Sequence, residues 1–206
     1  MQRRSTRAMA AMVLVFTVTA GACGGSSTPK PAKHASGTTA NGGAVDPNAP
    51  EIVAPGDIPD RQAFITYSTA GYSIKVPEGW SQSINGATTT FTDHYNTVTA
   101  TSASARTAPS VAGVHTSEVS QLRQDVPNFQ LVNVASVNRT AGPVVLVTYR
   151  AGSTPDPVTG KRVAIDVERY EFWHNGTQVT LTLSGARGSD NVDPWKTITN
   201  SFAWTA

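Results

Sequence analysis

From residue 64 onward, apolar and polar positions alternate through much of the chain with a period of two. Tyr72, Ile74 and Val76 interleave with Ser73 and Lys75, and Val179, Leu181 and Leu183 with Gln178, Thr180 and Thr182. Such alternation gives a strand one apolar and one polar face. With the local density of Thr and Val, it predicts strands over 64–67, 71–76, 88–92, 96–105, 129–138, 144–150, 162–174 and 178–183. Turns are expected at Pro77-Glu78-Gly79, Asp93-His94-Tyr95-Asn96, Ala141-Gly142-Pro143 and Asn175-Gly176, the last a strong hairpin signal. Within 162–174 the apolar positions change phase, from Val163, Ile165 and Val167 to Tyr170 and Phe172. A slip of one residue predicts a β-bulge.

Two stretches break from this period. Val111, Val114, Val119, Leu122 and Val126 lie near helical spacing between Pro109 and the stop at Pro127, with Ser110 or Thr116 as the cap. Near the C-terminus, Asp193-Pro194 reads as an N-cap followed by a first-turn proline, with Trp195, Ile198, Thr199 and Phe202 on one face. Strands, a helix, a run of antiparallel strands and a closing helix make an α+β domain, an antiparallel β-sheet flanked by helices. The helices are expected to leave part of one sheet face exposed.

The first third of the chain follows other rules. Arg3, Arg4 and Arg7 precede an apolar run from Ala8 to Ala20, 13 residues. A membrane span needs about 20. The run matches a signal-peptide core, which takes roughly 7–15. Ala20-Gly21-Ala22 then lead to Cys23, the single cysteine of the chain. Basic start, apolar core, small residues and cysteine form a bacterial lipobox. Residues 1–22 are read as a lipoprotein signal peptide, cut between Ala22 and Cys23. Cys23 then carries S-diacylglycerol and an N-acyl chain. Two or more acyl chains hold a protein firmly to a bilayer. The expected location is the cell membrane, lipid-anchored on the extracytoplasmic side.

Residues 23–60 start with that cysteine and continue as a Gly/Ser/Thr/Pro/Ala-rich tract. Its part from 24 to 59 contains no aromatic residue and six of the 13 prolines. Such a composition buries too little apolar surface to offset ordering, so a flexible tether is expected. Its 36 residues would span roughly 35 Å root-mean-square. Residues 61–206 are left for one domain, holding all four tryptophans and five of six phenylalanines.

The charge changes once the leader is set aside. The whole chain has 16 Lys+Arg against 14 Asp+Glu, and three of the arginines and none of the acids lie in residues 1–22. The remainder is 13 against 14, a net of −1. No basic stripe remains to follow a phosphate backbone, so nucleic acid is not expected as a partner.

The segment Gly71-Tyr72-Ser73-Ile74-Lys75-Val76-Pro77-Glu78-Gly79-Trp80 resembles the opening motif of PsbP-like domains. The tail is similar as well: an aromatic strand, the Asn-Gly turn, Val179-Thr180-Leu181-Thr182-Leu183-Ser184, and a helix ending in Ile198-Thr199-Asn200-Ser201-Phe202. Behind a lipobox, this combination resembles the LpqN/LpqT-type lipoproteins of mycobacteria and related actinobacteria. The resemblance covers about residues 64–204 and implies a PsbP-like α/β/α sandwich acting as a non-catalytic accessory or binding module. It brings no catalytic residues and no named partner.

The residues that could carry chemistry are scattered. His94, His115 and His174 fall in different elements, and none has metal-ligand spacing. No Gly-x-Ser-x-Gly elbow, P-loop, G-x-G-x-x-G or EF-hand loop occurs. Asp166 and Glu168 share a strand face, and with Glu171 they would offer carboxylates for glycosidase chemistry. Their alternation with Arg162 and Arg169 points instead to a charge-paired, solvated face. No cofactor and no metal are called for. The expectation is a lipid-anchored, non-catalytic binding module whose partner is an envelope or extracellular protein. Trp173 and the loop 153–160 are its candidate contacts. Two alternatives stand beside it: an envelope hydrolase with a dispersed Ser/His/Asp site, and a small carrier of hydrophobic ligands.

Overall fold

The computed structural model describes residues 54, 56–156 and 158–205. Ala22, Cys23 and most of the expected tether lie outside them. The elements in chain order are β1 (Phe64–Ser68), β2 (Tyr72–Pro77), β3 (Ser81–Asn85), β4 (Thr88–Asp93), β5 (Asn96–Ser104), α1 (Val111–Gly113), a π-helical turn (Val114–Glu118), α2 (Val119–Asp125), β6 (Gln130–Arg139), β7 (Gly142–Gly152), β8 (Ala164–His174), β9 (Thr177–Ala186), α3 (Val192–Asn200) and β10 (Ala203–Trp204). Seven strands form one sheet in the order β3-β4-β5-β9-β8-β7-β6, and β1-β2-β10 form a second. The paired strands in both are antiparallel. The α+β class expected from the order of elements is the class observed.

The small sheet and α3 cover one face of the large sheet. Ile74, Val76, Val98, Leu181, Leu183, Ile198 and Phe202 meet there, each at most 1% exposed. Phe202 stacks on Phe172 at 3.9 Å between ring centroids and on Tyr72 at 5.7 Å. The α1–π–α2 segment covers part of the opposite face. Val114 and Val119 pack there against Val145, Val147, Tyr149 and Val167.

This two-sided covering accounts for the phase change in β8, and the expected bulge is absent. Register with β7 runs unbroken from Val145–Glu171 to Gly152–Ala164, and with β9 from Ile165–Ala186 to His174–Thr177. Val167 belongs to the core under α1–α2, whereas Tyr170 and Phe172 belong to the core under α3. The apolar side changes because the cover changes from one face to the other. The one register shift in the large sheet lies between β6 and β7, at Leu131/Asn133.

The first helix also departs from its simple reading. Ser110 caps it as expected, its Oγ accepting from Gly113 N at 3.1 Å. Val114 and Val119 are five residues apart, which an α-helix would set on different faces. In the π turn the N–H of Val119 bonds Val114 O, an i→i−5 bond that brings both valines onto the sheet. The last helix starts earlier than expected, with Asn191 at its N-cap position, so Asp193 and Pro194 lie inside its first turn. It ends at Asn200, and Phe202 enters the core from beyond it. The edge strand β3, all of whose residues are exposed, was not anticipated by alternation.

A hydroxyl-floored groove as the candidate functional site

The helical segment packs over β7 and β8 and leaves much of the β3-β4-β5-β9 half of that sheet face uncovered, although Thr180 on β9 is buried. Apolar side chains on these strands point to the opposite face, where Phe91, Val98, Ala100, Leu181 and Leu183 are buried. The less covered face therefore carries the alternate positions. In register they form three rows across β4, β5 and β9: Thr88–Thr101–Thr180, Thr90–Thr99–Thr182 and Thr92–Thr97–Ser184. Each residue carries a hydroxyl and none is charged. The strands that carry them run about 4.8 Å apart. Thr88 and Thr101 bond each other at 2.9 Å, and Thr90 and Thr99 at 3.3 Å.

Two rows floor a groove of about 470 Å³. One end is the β4–β5 turn with His94 and Tyr95, and a wall is formed by Ser153, Thr154, Pro155, Asp156 and Lys161. The wall is braced from within. Asp156 Oδ1 accepts from Thr159 N at 2.7 Å, Thr159 Oγ1 at 2.9 Å and Val158 N at 3.0 Å. These bonds, the Thr159 N–H first, hold its carboxyl below the usual range. Arg162 donates to Ser153 O, and Ser153 N to Val163 O. Tyr95 is 48% exposed, so its ring is open to a ligand at the groove end.

Beside the rows, a charged latch ties the π turn to the sheet. Arg169 pairs with Glu118 and stands 2.9 Å, through Nε, from Glu171 Oε1. The Glu171 side chain is fully buried, and its Oε2 accepts from Thr180 at 2.7 Å and from Gln178. Burial pushes its carboxyl up to about 7, Arg169 opposes the shift and the nearby Glu118 carboxylate adds to it. On the other face, Arg139 donates to the Tyr170 hydroxyl at 2.6 Å, and Tyr170 to Glu168 at 2.6 Å. Asp166 and Glu168 share that face, as their spacing requires, and line a space of about 340 Å³ beside α3. Asp166 forms a half-exposed pair with Arg150, whereas the expected partners Arg162 and Arg169 bond elsewhere.

Trp173 is partly buried, and its indole N–H donates to Ala105 O at 2.9 Å. It lies at one end of β8 and the 153–160 loop precedes the other, about 30 Å of strand apart. The loop is a groove wall; Trp173 does not line the groove. His115 is exposed on the π turn. His174 packs 5.6 Å from the Trp204 ring. His94 Nδ1 lies 2.8 Å from Asp93 Oδ1, with side chains 82% and 52% exposed. The hydroxyl rows were the feature sequence reasoning passed over. Their signal was present as threonine at every second position in 88–92 and 97–101, but it read only as the polar side of a strand. Among the described residues, no group of three or more metal-ligating side chains assembles.

A scan against protein-family models and a search of the curated proteins match nothing. Solved structures do match. Cyanobacterial PsbP (CyanoP) from Synechocystis sp. PCC 6803 aligns over 70% of this chain and 94% of its own, at 18% identity and a TM-score of 0.50. LpqN, described as involved in cell envelope biogenesis of Mycobacterium tuberculosis, aligns over 71% of this chain and 91% of its own, at 13% identity and a TM-score of 0.43. With its antiparallel seven-stranded and three-stranded sheets and flanking helices, the chain has a PsbP-like α+β fold.

Proposed function

We propose that this protein is a cell-envelope lipoprotein, anchored through Cys23, that acts by binding and not by catalysis. The observation that carries the binding part is the groove whose floor is a set of uncharged hydroxyls on the less covered half of the sheet. Its volume falls within the range of ordinary ligand sites. The lipobox at Ala20-Gly21-Ala22-Cys23 supports the anchor. A tether between the anchor and the domain would let the groove reach partners beyond the bilayer.

Two measurements test this reading. Labelling with a fatty-acid analogue is expected in the native protein and lost in Cys23→Ala; persistent label removes the anchor. A photo-crosslinking residue at Tyr95 in intact cells is expected to trap envelope material that one at Val132, exposed on β6, does not. Equal trapping at both positions removes the groove from the reading.

One observation favours a second reading, the hydrolase. His94 lines the groove and lies within hydrogen-bond reach of Asp93. Both are exposed, so solvent competes for the ring that a catalytic pair would hold fixed. Turnover of ester or amide substrates that disappears in His94→Ala would favour the hydrolase.

A further inference from the structure

We propose that the groove takes a neutral glycan. This rests on the binding reading above and names its ligand class. The floor is built from Thr90, Thr92, Thr97, Thr99 and Ser184. A hydroxyl donates one hydrogen bond, accepts others and rotates to suit its partner. A sugar presents the same chemistry, hydroxyl for hydroxyl. Within a row the Thr90 and Thr99 hydroxyls lie 3.3 Å apart, successive rows follow about 6.8 Å further along the strands, and the sheet holds this array of hydroxyls in place before any ligand arrives. Thr92 and Thr97 sit directly opposite each other, next to the open Tyr95 ring. An aromatic ring beside hydroxyls suits a sugar, whose ring has an apolar C–H face and a polar rim.

Charge sorts the other ligand classes. The floor has no cation, so a phosphorylated or sulfated ligand has no counter-charge there. Asp156 and Lys161 on the wall are of opposite sign and leave that side near neutral. An apolar ligand would cover hydroxyls without replacing their bonds to water, which is costly. A glycan replaces them.

The test uses the full chain, isotope-labelled in detergent micelles, with chitohexaose and maltohexaose as probes. At millimolar sugar, at least one probe is expected to shift backbone amides in β4, β5, β9 and the 153–161 wall, with saturation. The double variant Thr97→Val/Thr99→Val keeps side-chain volume and removes two hydroxyls. It is expected to weaken binding about tenfold, with an otherwise unchanged amide spectrum. Tyr95→Ala, at an exposed turn, is a second arm that does not touch the sheet. Absence of shifts with both sugars, shifts confined to other surfaces, or unchanged affinity in both variants would overturn the proposal. If the sugars fail while the Tyr95 crosslinker traps a protein in cells, the glycan proposal falls and the binding reading stands.

Discussion

Glu171 shows how far one position is legible. The alternation of Asp166 and Glu168 with Arg162 and Arg169 suggested a charge-paired strand face in solvent; Asp166 is half-exposed there, but its partner is Arg150 of the neighbouring strand. Glu171 has the opposite parity on β8, and the π turn covers it through Glu118 and Arg169. Residue spacing states which face a side chain takes and is silent about what lies above that face. The consequence is a pH effect with a definite sign. Burial pushes the folded carboxyl up to about 7, above the 4.5 of an ordinary glutamate. The native state therefore holds a proton that the unfolded chain has released. This group's contribution is fully present below about pH 4.5 and is lost as pH rises through about 7. The loss is on the order of 3 kcal/mol. Asp156, whose carboxyl is held low, acts in the other direction at more acid pH. Thermal unfolding at pH 5 and pH 8 is expected to show a lower midpoint at pH 8 in the native protein. In Glu171→Gln that difference should shrink. An equal drop in the variant would assign the effect to another group.

Among the elements, strands whose apolar face meets a single core were legible, and β2 and β9 are examples. β8 was misread as bulged because two cores share it from opposite sides. The helix 111–125 was found, and its π turn was visible only as an awkward five-residue gap between Val114 and Val119. That gap makes a testable element. Deleting Thr116, which is exposed, leaves the two valines four apart, the spacing an ordinary α-helix places on one face. Glu118 keeps its place beside Val119 and so keeps Arg169. Urea unfolding of the deletion is expected to show a change of less than about 1 kcal/mol, since surface changes away from special features are small. Deleting Gln121 instead rotates Leu122 and Val126 relative to Val119, and a loss of about 2–4 kcal/mol is expected from the buried apolar contacts. Equal losses for the two deletions would mean that the π turn does more than adjust register.

At the scale of the whole molecule, the sequence did not show that β1 and β2 leave the large sheet to join β10, because alternation names a face and never a partner strand. Nor did it show where packing begins. The expected tether ran to residue 60, yet Ile58 is 3% exposed within the main core. Its N–H donates to Asn191 Oδ1 at 2.7 Å. Gly56 O accepts from Asn96 at 3.0 Å and from Asn191 at 3.2 Å, and the two asparagines bond each other at 3.0 Å. Asn191 stands at the N-cap position of α3 without making a side-chain cap bond. Its amide joins the chain before β1 to the loop after β9, positions 133 residues apart. Gly185 makes room for this clamp, and Gly56 for the Ser189 side chain of the loop after β9. A Cβ on Gly185 would lie 2.7 Å from Asn191 Nδ2 and 2.8 Å from Asn96 Oδ1, and one on Gly56 would lie 2.5 Å from Ser189 Oγ. Gly185→Ala and Asn191→Ala are therefore expected to act alike, although one adds an atom and the other removes three. Each should cost about 2–3 kcal/mol through buried polar groups left unpaired or displaced. Each should also speed hydrogen exchange at the Ile58 amide, while exchange in β8 and β9 changes only as global stability does. Native protection at Ile58 in either variant would show that the segment entering the domain is held by apolar packing of Ile58 and not by the asparagine clamp.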